Sequence, residues 1–123
     1  MKIGIDAYYL YSKTNTGIGY YVLNLLLGLS RVDGRNTYYL YTPAVRNQGY
    51  AVEILKNKRF HIVEIDNCLK KHKRLWMQHP SIKRQIRKDQ LDIFLGGGEH
   101  FPLFFRSKTL FCLTIHDVVF KIF

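Results

Sequence analysis

Lys2-Ile3-Gly4-Ile5-Asp6, followed a short connection later by Thr16-Gly17-Ile18-Gly19, decides the fold of this chain. The first stretch is short, rich in β-branched residues and closed by a polar residue, which predicts a strand. The second opens a segment in which Ile18, Val22, Leu25, Leu26 and Leu29 recur at helical spacing, and Asp33-Gly34 supplies a stop. A strand, a glycine turn and an amphipathic helix make an anion site. The first N–H groups of the helix point outward with partial positive charge, and glycines let a phosphate approach the backbone where a Cβ would block it. A second reading uses the same residues as an ordinary turn with Thr16 as N-cap, and the spacing alone does not separate the two.

Outward from this unit, residues 37–42, 60–65, 91–95 and 109–115 are four more short runs of β-branched and aromatic residues bounded by turn formers. Strands alternating with helical or loop segments imply right-handed crossovers and a mostly parallel sheet. The near-continuous apolar runs 91–95 and 110–115 predict strands buried on both faces. The expected architecture is α/β, a Rossmann-like parallel sheet in the order 3-2-1-4-5 with helices on both faces. In that order the winding reverses between the first and fourth strands, so a ligand belongs beyond their carboxyl ends. Asp6 with the glycine turn, Gly96-Gly97-Gly98-Glu99-His100 and His116-Asp117 all fall at such ends and converge on one crevice.

The 123 residues fit one domain, and a formal net charge of +10 favours anionic partners without choosing among them. Cys68 and Cys112 lack metal-like spacing and stand in or near apolar runs, which predicts buried free thiols and a reducing compartment. No apolar run approaches the roughly 18 residues of a membrane span, and no signal-peptide pattern opens the chain. The expected location is cytoplasmic, with the inner membrane surface as the other possibility. Residues 70–88 carry Lys70, Lys71, Lys73, Arg74, Lys83, Arg84, Arg87 and Lys88, with Leu75, Trp76, Ile82 and Ile86 as the apolar side and Pro80 interrupting or restarting the helix. This segment is either a solvated helix face or a surface for anionic membrane. No helix-turn-helix spacing, zinc-finger pattern or aromatic RNA-binding motif is present, so nucleic acid is not an expected partner.

Taken together, residues 3–7, Thr16-Gly17-Ile18-Gly19 with Tyr21, Val22, Asn24, Leu25 and Leu26, residues 91–94 and Thr114-Ile115-His116-Asp117 resemble the acceptor-side N-terminal domain of a family 4 glycosyltransferase of the GT-B fold. The resemblance runs in order over essentially the whole chain. It implies a retaining enzyme of cell-surface polysaccharide type. There a second Rossmann-like domain grips a nucleotide-diphosphate sugar, and this one binds a glycan or lipid-linked acceptor. The resemblance implies that Gly17, Ile18 and Gly19 approach the donor diphosphate and that His116 faces the transferred sugar. Asp6, Tyr8, Glu99, His100 and Asp117 are acceptor-side candidates, and no metal or resident cofactor is implied. Read without the resemblance, His116 is an ordinary turn histidine beside Asp117.

Two departures bear on that expectation. Tyr20 stands where similar sequences often carry Arg, removing one phosphate contact. The glutamate pair of the nucleotide-sugar domain is missing, since Glu53, Glu64 and Glu99 form no such pair. Residues 1–123 are therefore expected to be a truncated N-terminal domain, or one piece of a split enzyme, inactive without its C-terminal partner. The alternative function is a stand-alone anion- or membrane-binding module without catalysis.

Overall fold

The computed structural model describes residues 1–12, 16–97, 102 and 106–116. Five parallel strands, β1 (Lys2–Asp6), β2 (Thr37–Thr42), β3 (Phe60–Glu64), β4 (Ile93–Gly96) and β5 (Leu110–Leu113), form one sheet in the order β3-β2-β1-β4-β5. The fold is α/β and Rossmann-like, as expected. Four α-helices accompany the strands among the described residues: α1 (Gly17–Val32), α2 (Gln48–Ile54), α3 (Lys73–Gln78) and α4 (Pro80–Asp89).

Strand alternation sorts the side chains into two cores. Ile5, Tyr38, Leu40 and Phe60 pack with Val22, Leu23 and Leu26 of α1 and with Ala51 and Ile54 of α2. Tyr41 and Phe94, on the other face, pack with Trp76 and Met77 of α3 and with Ile82 and Ile86 of α4. Helices thus cover both faces, and the change of face falls where the winding reverses, between β1 and β4. Gly4 makes the second core possible. A Cβ there would clash with Leu91 Cδ1, lie 2.9 Å from Phe94 Cδ2 and 3.2 Å from Tyr41 Cε2.

Local signals set the helix ends. Thr16 caps α1, its hydroxyl oxygen 3.5 Å from the Gly19 N–H, and the Asp33 N–H closes the last turn on the Leu29 carbonyl. Pro80 restarts the chain as the first residue of α4, with the His79 ring nitrogen accepting the Ser81 N–H at 3.2 Å. Trp76 is fully buried and donates its indole N–H to the Ile65 carbonyl at 2.8 Å, fastening α3 to the end of β3.

Four expectations are corrected. The buried stripe of α1 is Gly19, Val22, Leu23 and Leu26, rotated from the expected set, with Ile18, Leu25 and Leu29 only half-buried. Strand β5 is not buried on both faces. It is an edge strand, and Leu110 at 68 % and Ile115 beyond its end at 62 % exposure lie open among the described residues. Cys68 and Cys112 are both exposed free thiols rather than buried ones. Leu75, placed on the apolar side of the basic segment, is also half in solvent, while its neighbour Met77 takes the inward position.

Candidate functional site

The carboxyl ends of β4 and β5 and the first turns of α1 meet in one place. His116, just past β5, sets its Nε2 2.8 Å from the Gly97 carbonyl oxygen at the end of β4. Its ring stands edge-on to Tyr21 of α1, centroids 4.9 Å apart at 80°. Gly97 in turn lies against α1, since a Cβ there would come 2.7 Å from Val22 Cγ2. The absence of a side chain at Gly97 therefore lets the strand end approach the first turns of the helix. One ring nitrogen of His116 is engaged by a carbonyl, which favours a proton on Nε2 and leaves Nδ1 as the acceptor nitrogen in the neutral ring.

The glycine turn divides into two unlike positions. Gly17, the first residue of α1, is exposed, and a Cβ added there would meet nothing within 4 Å. Gly19 is buried in the helix face and Ile18 is half-buried. The open N–H end of α1 is thus presented at Gly17, while Gly19 serves packing and the Thr16 cap. An anion approaching this end meets backbone donors and the positive end of a 16-residue helix.

Asp6 closes the end of β1 on the opposite face. It is fully buried, and its Oδ1 accepts the Tyr8 N–H at 3.1 Å. Its Oδ2 lies 3.1 Å from Lys73 Nζ without the alignment of a hydrogen bond. Lys73 Nζ also sits 4.4 Å from the centre of the Tyr9 ring and 3.3 Å from its hydroxyl. Burial of a carboxylate is tolerated only with such compensation. Lys73, grouped by sequence with the membrane-facing cations, instead turns inward to Asp6, and its side chain is 14 % exposed.

Tyr8 is a packing residue in this arrangement. Its ring is buried against Tyr11 and Trp76, and its hydroxyl donates to the Lys70 carbonyl at 2.6 Å. Burial, reinforced by the neighbouring Tyr11 and Asp6, raises its pKa, so it remains a neutral donor. Glu99, His100 and Asp117 lie outside the described residues, and no cluster of His, Cys, Asp or Glu able to hold a metal exists among the described ones.

The other basic residues form an outer face. Lys71, Arg74, Arg84, Arg87 and Lys88 are exposed, whereas Lys70 and Lys83 are half-buried. Lys70 is also paired with Asp66 at 2.8 Å, and that bond raises its pKa. No helix among the described residues is long and apolar enough to cross a membrane.

Tyr21 and Tyr9 were not singled out as site residues by the sequence reading. The aromatic run Tyr8-Tyr9-Leu10-Tyr11 directly after Asp6 was the available signal for Tyr9, and the pair Tyr20-Tyr21 beside the glycine turn was the signal for Tyr21. Against known proteins, the chain matches no family model, no curated protein and no solved structure.

Proposed function

We propose that this chain is the acceptor-side domain of a retaining, GT-B-type glycosyltransferase that moves a sugar from a nucleotide-diphosphate donor to a glycan or lipid-linked acceptor. The observation that carries the reading is the contact set His116–Gly97–Tyr21, which gathers two strand ends and the first turns of α1 beside the switch point of the sheet, where a ligand crevice is expected. In such a reaction the leaving diphosphate gains negative charge. Backbone donors fixed at the start of α1 stabilise that charge more in the transition state than in the ground state. In this reading the His116 ring, oriented by the Gly97 carbonyl and the Tyr21 edge, borders the transferred sugar. The chain supplies one wall of the donor site in this reading, and the proposed nucleotide-sugar domain supplies the other.

Transfer of labelled sugar, measured with the chain alone and with the chain joined to a nucleotide-sugar domain, tests this proposal. The joined form is expected to transfer and the chain alone to be inactive, because water fills an open half-site. His116→Ala in the joined form is expected to lose turnover while keeping its melting temperature. Turnover unaffected by His116→Ala contradicts the assignment.

A second reading, an anion- or membrane-binding module without chemistry, is favoured by the exposed cations Lys71, Arg74, Arg84, Arg87 and Lys88 on one helical layer. The two readings are compatible if the enzyme works at the cytoplasmic membrane face. Co-sedimentation with anionic vesicles by a chain that supports no sugar transfer in any joined form would leave only the second.

A further inference from the structure

At the amino ends of β4 and β5, the opposite end of the sheet from the crevice, lies a separate open cavity of about 550 Å³. It is lined by Arg87 and Gln90 from the end of α4, Leu91 and Asp92 leading into β4, and Arg106 and Lys108 leading into β5. Its floor is apolar and fixed, with Ile86 and Leu91 buried. The loop before β5 is fastened by a chain of hydroxyls. The Thr109 Oγ1–H donates to the Leu91 carbonyl at 2.8 Å, the Ser107 hydroxyl donates to Thr109 Oγ1 at 3.0 Å, and the Leu110 N–H donates to the Asp92 carbonyl at 3.0 Å.

Charge decides what such a cavity accepts. Among the described lining residues the exposed Arg106 and Lys108, with Arg87 beside them, stand against one carboxylate, Asp92, whose Oδ2 is already engaged by the Lys2 N–H at 2.7 Å. The carbonyl end of α4 contributes roughly half a negative charge, too little to cancel the excess of cations. The Arg106 guanidinium fork with the Lys108 ammonium suits an oxyanion with several oxygens better than a single carboxylate. The volume exceeds what a lone phosphate fills, and the apolar floor suits the group that carries it.

We propose that the cavity between the end of α4 and the starts of β4 and β5 binds a phosphate-bearing ligand, a diphosphate or a phosphomonoester, through Arg106 and Lys108. This site is distinct from the crevice at the carboxyl ends and does not depend on the glycosyltransferase reading. Arg87 makes it continuous with the exposed basic face of α4, so the phosphate is either a lipid headgroup or part of a soluble molecule.

Titration of the whole chain with inorganic pyrophosphate, followed by backbone amide shifts, tests the proposal. The amides of residues 90–92 and 106–109 are expected to shift saturably. Arg106→Ala with Lys108→Ala is expected to weaken that binding about tenfold or more. Arg31→Ala with Lys58→Ala, which removes the same net charge elsewhere on the surface, is expected to leave it within about twofold. Shifts at the start of α1 report the crevice separately and are expected to survive the Arg106/Lys108 change. Vesicles containing phosphatidic acid, compared with phosphatidylcholine alone, distinguish the sources. Vesicle binding lost in the Arg106/Lys108 variant identifies a headgroup, and vesicle binding retained while pyrophosphate binding falls identifies a soluble ligand. No saturable shift at residues 106–109, or equal weakening by both double variants, overturns the proposal.

Discussion

Lys73 Nζ lies 3.1 Å from the Oδ2 of a fully buried Asp6, joining the end of β1 to the first residue of α3. Lys73→Met removes the only cation paired with Asp6 among the described residues and strands a buried carboxylate. The expected cost is about 3–5 kcal/mol, as for other buried pairs broken on one side. Asp6→Asn combined with Lys73→Met is expected to recover much of that loss, because the charge that needed a partner is gone. Denaturant unfolding of the single and double variants measures the coupling, and a single variant within about 0.5 kcal/mol of the parent would show that the pair is solvated.

Asp33 and Tyr38 share a hydrogen bond of 2.5 Å that shifts both groups. That bond, with further donors from the Arg35 N–H and from Asn36, holds the Asp33 carboxyl well below its usual range. Its contribution is present above the ordinary value of 3.8 and is lost as pH falls below it. Burial, then the bond to Asp33, pushes the Tyr38 hydroxyl up to about 12 from 10.0. That contribution is complete below pH 10 and is lost as pH rises through 12. Asp33→Asn is expected to flatten the acid limb of a stability–pH curve and to soften the alkaline limb. A curve with both limbs unchanged would remove this pair from the account.

Strand β5 presents Leu110, Cys112 and Leu113 on the sheet edge, and Ile115 beyond it, without cover among the described residues. An uncovered apolar edge favours edge-to-edge association. Sedimentation velocity is expected to show concentration-dependent association of the chain, and Leu110→Lys is expected to shift it toward monomer. Identical behaviour of parent and variant would show that the edge is shielded.

The sheet order was legible because each strand is a short β-rich run bounded by turn formers, and because crossover rules leave few ways to join them. Thr16 and Pro80 were legible for the same local reason, one as a side-chain cap and the other as a first-turn residue. The face of α1 was not. Residues 22–29 are apolar nearly all round, so periodicity admits neighbouring stripes, and packing on Ile5 and Leu40 selects Val22, Leu23 and Leu26. Lys73 could not be told from Lys70, Lys71 and Arg74 by type, since only the position of Asp6 at the end of β1 draws it inward. The exposed thiols follow from tertiary position too: Cys112 sits in an apolar run, but that run is the outermost strand.

The most direct measurement of the central claim is turnover of Gly17→Val in the joined two-domain form. A side chain at Gly17 meets open space within the chain, so the variant is expected to fold with an unchanged melting temperature. It would nonetheless stand where the diphosphate approaches the start of α1, and loss of such a contact lowers turnover about 10²–10³-fold. Gly28→Ala, equally open but away from the crevice, is the control and is expected to leave turnover intact with a gain of about 0.4–1 kcal/mol. Lost turnover in a folded Gly17→Val with an active Gly28→Ala is the predicted result. Full turnover in a folded Gly17→Val would contradict the phosphate role of this helix start, and with it the assignment of the crevice.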